Sequence, residues 1–231
     1  MSLPSSNIVF ERVEAPTETL AQDAADIMVP LVKDGQYCQK IFCALTGGDL
    51  TRLPSLVKLL IRPITLVAGV GHIYIARDES GTLVGFLLFT LPGQLVIEEQ
   101  RQMGMYEYVA ELPEDAKEYF LQANTVDLPK LNDEIFGTKE TERSTYWCNF
   151  AMIHADYQRK GLATRMFQMA FEEAANRGAN VGLTATKASN VEVYEKIGFT
   201  FRGDRTLHSP WCDWGIWGMF KDPKAEAVVE A

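Results

Sequence analysis

The sequence lacks the features that would direct it to a membrane, a secretory route or a metal. No apolar run approaches the roughly 20 residues that span a bilayer. Residues 1–7 lack a basic stretch followed by an apolar one, so no signal peptide is expected. Four cysteines form no CxxC pair and only three histidines occur, which argues against structural zinc. We therefore expect a cytoplasmic protein with reduced, mostly buried thiols, no membrane contact and no metal.

Positive charge is also scarce. The chain has 22 Lys and Arg against 31 Asp and Glu, a net charge of −9, which predicts no nucleic-acid binding. Residues 93–144 hold twelve acidic and five basic residues. This segment either attracts a cationic amine substrate or forms an ordinary solvated face, and the sequence leaves both interpretations open.

The length of 231 residues and the hydrophobic share of 47% predict one folded domain over residues 1–231. Alternation and β-forming composition predict strands at 7–13, 72–77, 83–91, 145–153, 180–186, 199–205 and 214–220. Apolar residues at helical spacing predict helices at 17–31, 50–61, 161–177 and 190–197.

The middle of the chain gives no strand signal. Residues 93–144 are therefore predicted to be a helical insertion within the domain. Its parts are predicted helices at 94–112 and 113–122 and a polar, mobile stretch at 132–143. The tail, 223–231, is expected to be frayed.

A loop between a predicted strand and a predicted helix carries the strongest chemical signal. It reads Gln158, Arg159, Lys160, Gly161, Leu162, Ala163, Thr164. Backbone N–H groups at a helix N-terminus have no partner within the helix, and together with the helix dipole they bind anions. Gly161 and Ala163 lack bulk, and Arg159, Lys160 and Arg165 add positive charge. The loop is therefore predicted to bind a phosphate group.

This loop resembles the acyl-CoA-binding motif of the GNAT superfamily of N-acetyltransferases, [Gln/Arg]-x-x-Gly-x-[Gly/Ala], matched by Gln158, Gly161 and Ala163. The resemblance implies that the N–H groups of residues 158–164 bind the CoA pyrophosphate. It also implies that the strand end, Ala151, Met152 and Ile153, pairs with pantetheine through its backbone. A splayed strand there would supply an N–H group that polarises the thioester carbonyl.

Two further segments are similar to the same superfamily. Residues 193–199 resemble its "LYEKxGF" signature, and residues 78–86 resemble its "D-x-x-G-x-x-V-G-F" stretch. The implied fold is α/β (α+β), with a mixed, mostly antiparallel sheet of six or seven strands flanked by helices. The layout, with its long middle insertion, is similar to fungal members of unassigned substrate.

The signature implies a role for Tyr194 in catalysis. Its equivalent commonly lies near the CoA sulfur, and a phenol with a pKa of about 10 can protonate a departing thiolate. The alternative is a core tyrosine packed beside Phe199. The superfamily often has an asparagine seven residues earlier, where this chain has Lys187, so Asn190 is a weaker candidate for a cofactor contact.

The sequence does not identify the general base that must deprotonate the amine. Residues 144–153 contain no acid. The candidates are Glu140, Glu142, Asp213, His208 and, with least support, His154. Cys148 or Cys212 could serve as nucleophile in a ping-pong scheme. The aromatic segment 210–217 either builds an acceptor pocket or packs the sheet.

These features predict an acyl-CoA-dependent N-acyltransferase. It would transfer acetyl from acetyl-CoA to a primary amine of a small molecule, cationic in one interpretation, by direct attack in a ternary complex. One alternative is a non-catalytic acyl-CoA-binding or sensing protein, and another is an interaction protein that kept the scaffold without the cofactor. The assembly would be a monomer or a homodimer.

Overall fold

The computed structural model describes residues 7–35, 39–94 and 103–222. Several expectations fall outside these residues. They concern the tail at 223–231, Cys38, the start of the chain at 1–6 and the first part of the predicted helix 94–112.

Seven strands form one mixed sheet in the order β1-β2-β3-β4-β5-β7-β6. The strands are β1 Val9–Val13, β2 Gly71–Arg77, β3 Leu83–Thr90, β4 Tyr146–Ile153, β5 Val181–Ala185, β6 Thr200–Leu207 and β7 Trp214–Lys221. Every neighbouring pair is antiparallel except β4 with β5. The predicted fold class is confirmed, with seven strands in the sheet.

Helices flank this sheet. They are α1 Glu18–Lys33, α2 Gln39–Leu45, α3 Leu53–Leu66, α4 Met105–Glu111, α5 Glu114–Gln122, α6 Leu128–Phe136, α7 Thr141–Ser144, α8 Leu162–Arg177 and α9 Val191–Ile197. Thr17 caps α1 by accepting a hydrogen bond from the backbone N–H of Leu20, as expected of a threonine at this position. Gly178, in the left-handed conformation with φ 65°, ends α8.

Between β3 and β4, the described residues 103–144 are mostly helical. The prediction of a mobile stretch at 132–143 is wrong, because α6 and α7 occupy most of it. Ile135 is buried against β6 and β7, and the Asp133 carboxylate accepts hydrogen bonds from the backbone N–H groups of Glu140 and Thr141. Burial of one apolar face and fixation of the turn hold both helices. The division into one domain with an insertion stays a prediction.

Two layers of apolar side chains cover the sheet. On one face α1 and α3 pack against Ile75, Phe86, Leu88 and Met152. On the other face α8 packs against Leu87. Alternate residues of β3 therefore enter opposite layers, as the period of two in a strand requires.

The pairing between β4 and β5 is short. It consists of Tyr146 with Val181 and Trp147 with Gly182, after which the strands diverge. Gly182 permits this contact, because a Cβ atom there would lie 2.8 Å from the Trp147 ring. β4 continues to Ile153 paired only with β3 among the described strands. One edge of its second half is consequently open within the sheet.

One minor expectation, that the thiols are mostly buried, needs correction. Of the three described cysteines only Cys148 is buried, while Cys43 and Cys212 are partly exposed. In the aromatic segment, Trp214 packs in the core beside β6. No helix in the part of the chain that the structure describes is long and apolar enough to cross a membrane. The same residues hold no group of three or more His, Cys, Asp or Glu side chains placed around a metal.

The packing of α3 against the sheet can be tested by substitution. Leu56 is fully buried there, so Leu56→Ala should lower the free energy of unfolding by about 2–5 kcal/mol. Lys58→Ala, an exposed change on the same helix, should alter it by no more than about 0.5 kcal/mol. Urea denaturation measures both, and equal effects of the two variants would contradict the packing described.

Candidate functional site

A cavity of about 300 Å³ lies where β4 ends, α8 begins and α9 passes by. Its lining joins segments that are far apart in sequence. The lining residues are Leu31, Ala151, Met152, Ile153, Tyr157, Gln158, Arg159, Gly161, Leu162, Ala163, Thr164, Phe167, Asn190, Val193, Tyr194 and Ile197. We refer to it as the first cavity.

The loop on one side of the first cavity presents its backbone N–H groups. Arg159 and Gly161 both adopt positive φ, 61° and 80°, a conformation rare for a side chain such as that of arginine. Within the described residues, no acceptor bonds the N–H groups of residues 159–164, and the first α8 bond runs from Arg165 N–H to Gly161 O. A Cβ at Gly161 would meet no atom within 4 Å. The loop thus leaves N–H donors without protein acceptors beside a cavity, which is a setting suited to an anion.

The open edge of β4 forms another side of the cavity. The His154 N–H donates a hydrogen bond of 2.9 Å to the carbonyl oxygen of Val84 on the neighbouring strand β3. Because main-chain groups alternate in direction along an antiparallel pair, those of Ala151 and Ile153 face away from β3. Consistent with this, Ile153 O accepts a hydrogen bond from Gln158 Nε2 at 3.1 Å. The edge therefore offers main-chain donors and acceptors towards the space that β5 vacates.

Tyr194 reaches the first cavity from α9. Its ring makes edge contacts with Phe167 and Phe199, with centroid distances of 5.9 and 5.7 Å. The side chain is partly exposed and lines the cavity. Tyr194 therefore packs beside Phe199 and also borders the cavity, and its role in catalysis stays a prediction.

Most of the residues predicted to bind the cofactor come together here. From that set the first cavity includes Ala151, Met152, Ile153, Gln158, Arg159, Gly161, Leu162, Ala163, Thr164 and Asn190. Lys160 is not part of the lining, and its ammonium lies 4.9 Å from the centroid of the Tyr157 ring. Asn190 lines the cavity although its spacing from Tyr194 is shorter than the superfamily pattern. Sequence reasoning did not name Tyr157 or Phe167 as site residues.

A second cavity, of about 270 Å³, adjoins the first one along β4. It is bounded by helices from both halves of the chain and by the two strands that diverge. Its lining residues are Ile41, Phe42, Leu45, Leu59, Leu60, Pro63, Ile64, Met105, Phe120, Asn124, Leu128, Asn132, Glu142, Trp147, Cys148, Asn149, Phe150, Thr184 and Thr186. Residues 147–150 of β4 line this cavity and residues 151–153 line the first.

Glu142 is the acidic residue of the second cavity. Its Oε1 accepts a hydrogen bond from Asn132 Nδ2 at 2.6 Å. Burial raises the pKa of Glu142 above its ordinary value of 4.5, against the opposing effect of the Asn132 hydrogen bond, and the charge of Asp133 raises it further. A carboxylate in this setting is a better proton acceptor near neutral pH than an exposed one.

The other predicted bases lie elsewhere. Glu140 is exposed and pairs with Arg143 at 3.2 Å. His208 and Asp213 form an exposed pair at 3.0 Å, and His154 is close to half exposed. None of these residues lines either cavity. Glu142 is therefore the base candidate that the tertiary structure brings to the site.

Cys148 is poorly suited to nucleophilic catalysis. Burial raises the pKa of its thiol far above the usual range, and the sulfur donates to Phe150 O at 3.5 Å. A reactive cysteine requires thiolate at working pH. Cys212 does not line either cavity.

The sequence belongs to a known family. Residues 96–212 match the family model for the acetyltransferase (GNAT) domain, which is about half of the chain. The protein is thus a member of the GNAT acetyltransferase family. A search among curated proteins found no match.

Solved structures share the fold over nearly the whole chain. A histone acetyltransferase HPA2 and related acetyltransferase from Corynebacterium glutamicum is 15% identical, with TM-score 0.56 and coverage of 94% of this chain and 96% of that one. Arylalkylamine N-acetyltransferase 2 from Aedes aegypti is 18% identical, with TM-score 0.52 and coverage of 94% and 99%. A candidate acetyltransferase from Salmonella typhimurium, solved with its cofactor acetyl-CoA, is 12% identical, with TM-score 0.50 and coverage of 94% and 95%. At these identities the likeness shows the fold alone.

The raised pKa of Glu142 predicts a pH effect on stability. Above its ordinary pKa of 4.5 the unfolded state loses this proton while the folded state keeps it. The free energy of unfolding therefore falls as pH rises through the folded pKa. Glu142→Gln removes this loss, so its stability relative to the parent protein should increase from pH 4.5 upwards. Urea denaturation at several pH values measures the difference, and parallel pH profiles would show that Glu142 is not desolvated.

Proposed function

We propose that the protein is an acyl-CoA-dependent N-acetyltransferase that moves acetyl from acetyl-CoA to a primary amine of a small molecule. One observation carries the proposal: the backbone N–H groups of Arg159 and of residues 161–164 have no acceptor among the described residues, and these residues line a cavity that also borders the open edge of β4. Family membership and a solved structure of the same fold with acetyl-CoA support it.

The first cavity has the groups that the cofactor requires. Its concave N–H loop and the positive end of the α8 dipole would hold the pyrophosphate, with Arg159 adding charge at the lining. The main-chain groups of Ala151 and Ile153 would pair with the amides of pantetheine as a neighbouring strand would. Bound in this way, acetyl-CoA supplies an activated thioester carbonyl at the point where β4 and β5 part.

The reaction would be a direct transfer. A neutral amine attacks the thioester carbonyl carbon, a C–N bond forms and the C–S bond breaks. A β4 N–H group on the open edge would donate to the carbonyl oxygen as negative charge develops there. Tyr194 would donate its phenolic proton to the departing sulfur and would recover a proton from the newly bonded nitrogen. The raised pKa of the Cys148 thiol favours this route over a ping-pong scheme.

Acyl-CoA binding without transfer is the second candidate. It is favoured by the exposed Lys187, which stands where the superfamily often has a cofactor-contacting asparagine and does not line the first cavity. Turnover of any amine separates the two candidates. The similarity to fungal members, the cytoplasmic location, and the monomeric or homodimeric state stay predictions.

Cofactor binding can be tested at two glycines in the left-handed conformation, Gly161 just before α8 and Gly178 just after it. Gly161→Asp places a carboxylate beside the N–H groups, and aspartate adopts positive φ more readily than most residues. CoA affinity measured by calorimetry should fall by about 100-fold or more, because the like charge opposes the diphosphate. Gly178→Asp makes the same charge change in the same backbone conformation at the far end of the helix, and CoA affinity should change by less than about threefold. Equal affinities of the two variants would remove the loop from the proposal.

The role of Tyr194 is tested by removing one hydroxyl group. Tyr194→Phe should lower kcat for acetyl transfer by about 100-fold, the usual contribution of a positioned acid. The Kd for CoA should stay within about twofold, since the ring and its packing are kept. A thiol-release assay and calorimetry provide the two values. Unchanged turnover across the pH range would show that another group protonates the sulfur.

A further inference from the structure

We infer that the second cavity is the acceptor site and that it takes a monoamine carried on an apolar body, with Glu142 receiving the ammonium. This inference rests on the proposed function and specifies its substrate class. Four observations carry it: the position of the cavity, the chemistry of its lining, two unbonded polar atoms within that lining, and the contacts of Glu142.

The second cavity lies next to the first one along β4. Consecutive residues of β4 line the second cavity up to Phe150 and the first cavity from Ala151 onwards. Thr184 of β5 and Trp147 of β4 both border the second cavity. The cavity therefore lies where the two strands separate. An amine held there would approach the thioester from the side opposite the pyrophosphate loop.

The lining fixes the class of ligand. Leucine, isoleucine, phenylalanine, methionine, proline and tryptophan side chains form most of the wall. Among these described residues Glu142 is the single carboxylate, and none is lysine, arginine or histidine. An anionic acceptor would meet no balancing charge. A polyamine would bury cations without partners, which is unfavourable in an apolar cavity.

Two buried polar atoms of the lining have no partner within the described residues. They are Asn132 Oδ1 and Thr186 Oγ1, and Asn132 is fully buried. Buried acceptors are normally hydrogen-bonded, so these atoms indicate a donor that arrives with a ligand. An ammonium carries three donors and no acceptor. The Glu142 carboxylate, Asn132 Oδ1 and Thr186 Oγ1 are acceptors on the same cavity lining.

Glu142 would also deprotonate the amine. Its carboxylate accepts one proton from the bound ammonium and passes it to solvent, leaving the neutral nitrogen that attacks the carbonyl carbon. Asn132 is a positioning residue for this carboxylate, because its Nδ2 donates a hydrogen bond of 2.6 Å to Glu142 Oε1. The titratable groups around Glu142 are Cys148 on the cavity wall and Asp133 nearby, and burial keeps the thiol protonated.

The first experiment compares acceptors in the thiol-release assay with acetyl-CoA. Straight-chain monoamines from butylamine to hexylamine should show kcat/KM rising by about fourfold for each methylene buried. 2-Phenylethylamine should exceed spermidine and glucosamine by at least about 30-fold. A preference for spermidine or glucosamine would overturn the inference and leave the proposed function standing. Failure of every amine to release thiol would overturn the proposed function itself, and this inference with it.

The second experiment isolates the carboxylate. Glu142→Gln should lower kcat/KM for the best monoamine by about 100-fold or more, while the Kd for acetyl-CoA stays unchanged and confirms folding. In the same variant the complex with CoA should bind 2-phenylethylamine about tenfold more weakly and 2-phenylethanol as before, which a merely structural role of Glu142 would not produce. Glu140→Gln, exposed and outside the cavity, should keep kcat/KM within about twofold. Equal loss in both variants, or equal weakening of amine and alcohol, would overturn the role of Glu142.

Discussion

The two-residue pairing between β4 and β5 is the constraint on which the rest of the site depends. A parallel pair that continued to Ile153 would saturate the main-chain groups of β4 and close the sheet. Because the strands part after Trp147 and Gly182, a strand edge is left open inside the fold, where edges are normally covered or paired. Both cavities border this opening, and each uses a different stretch of the same strand.

The two sides of the opening differ in chemistry. The first cavity is bounded by backbone donors and a helix N-terminus, which suit a phosphate whatever the neighbouring side chains. The second cavity is walled by side chains, and its character comes from helices α2, α3 and those between β3 and β4. If the first cavity binds the cofactor and the second the acceptor, as proposed, cofactor recognition depends on main-chain geometry and acceptor recognition depends on residue identity in the helices around the second cavity. Such a division would explain why the family model indicates the reaction class but not the substrate.

The acidic middle segment has a more specific role than its net charge suggested. Of the ten acidic residues of this segment that the structure describes, seven are exposed. Glu142 differs, because Asn132 and the apolar wall of the second cavity surround it. Composition cannot separate one desolvated carboxylate from eleven acids of the same type, since desolvation is a property of the folded neighbourhood.

The sequence by itself determined the strands, most long helices and the phosphate-type loop, because each has a local cause: alternation, helical spacing, or Gly161 entering a helix. It did not predict α2 or α6, whose apolar faces are short and depend on tertiary packing. α2 packs against α1, α5 and β7, and α6 packs against β6 and β7. Only the tertiary structure decided the length of the β4–β5 pairing, the left-handed Arg159, and the position of Glu142, unlike Glu140 and Asp213, on a cavity wall. These depend on contacts between residues far apart in the chain, and no local pattern records such contacts.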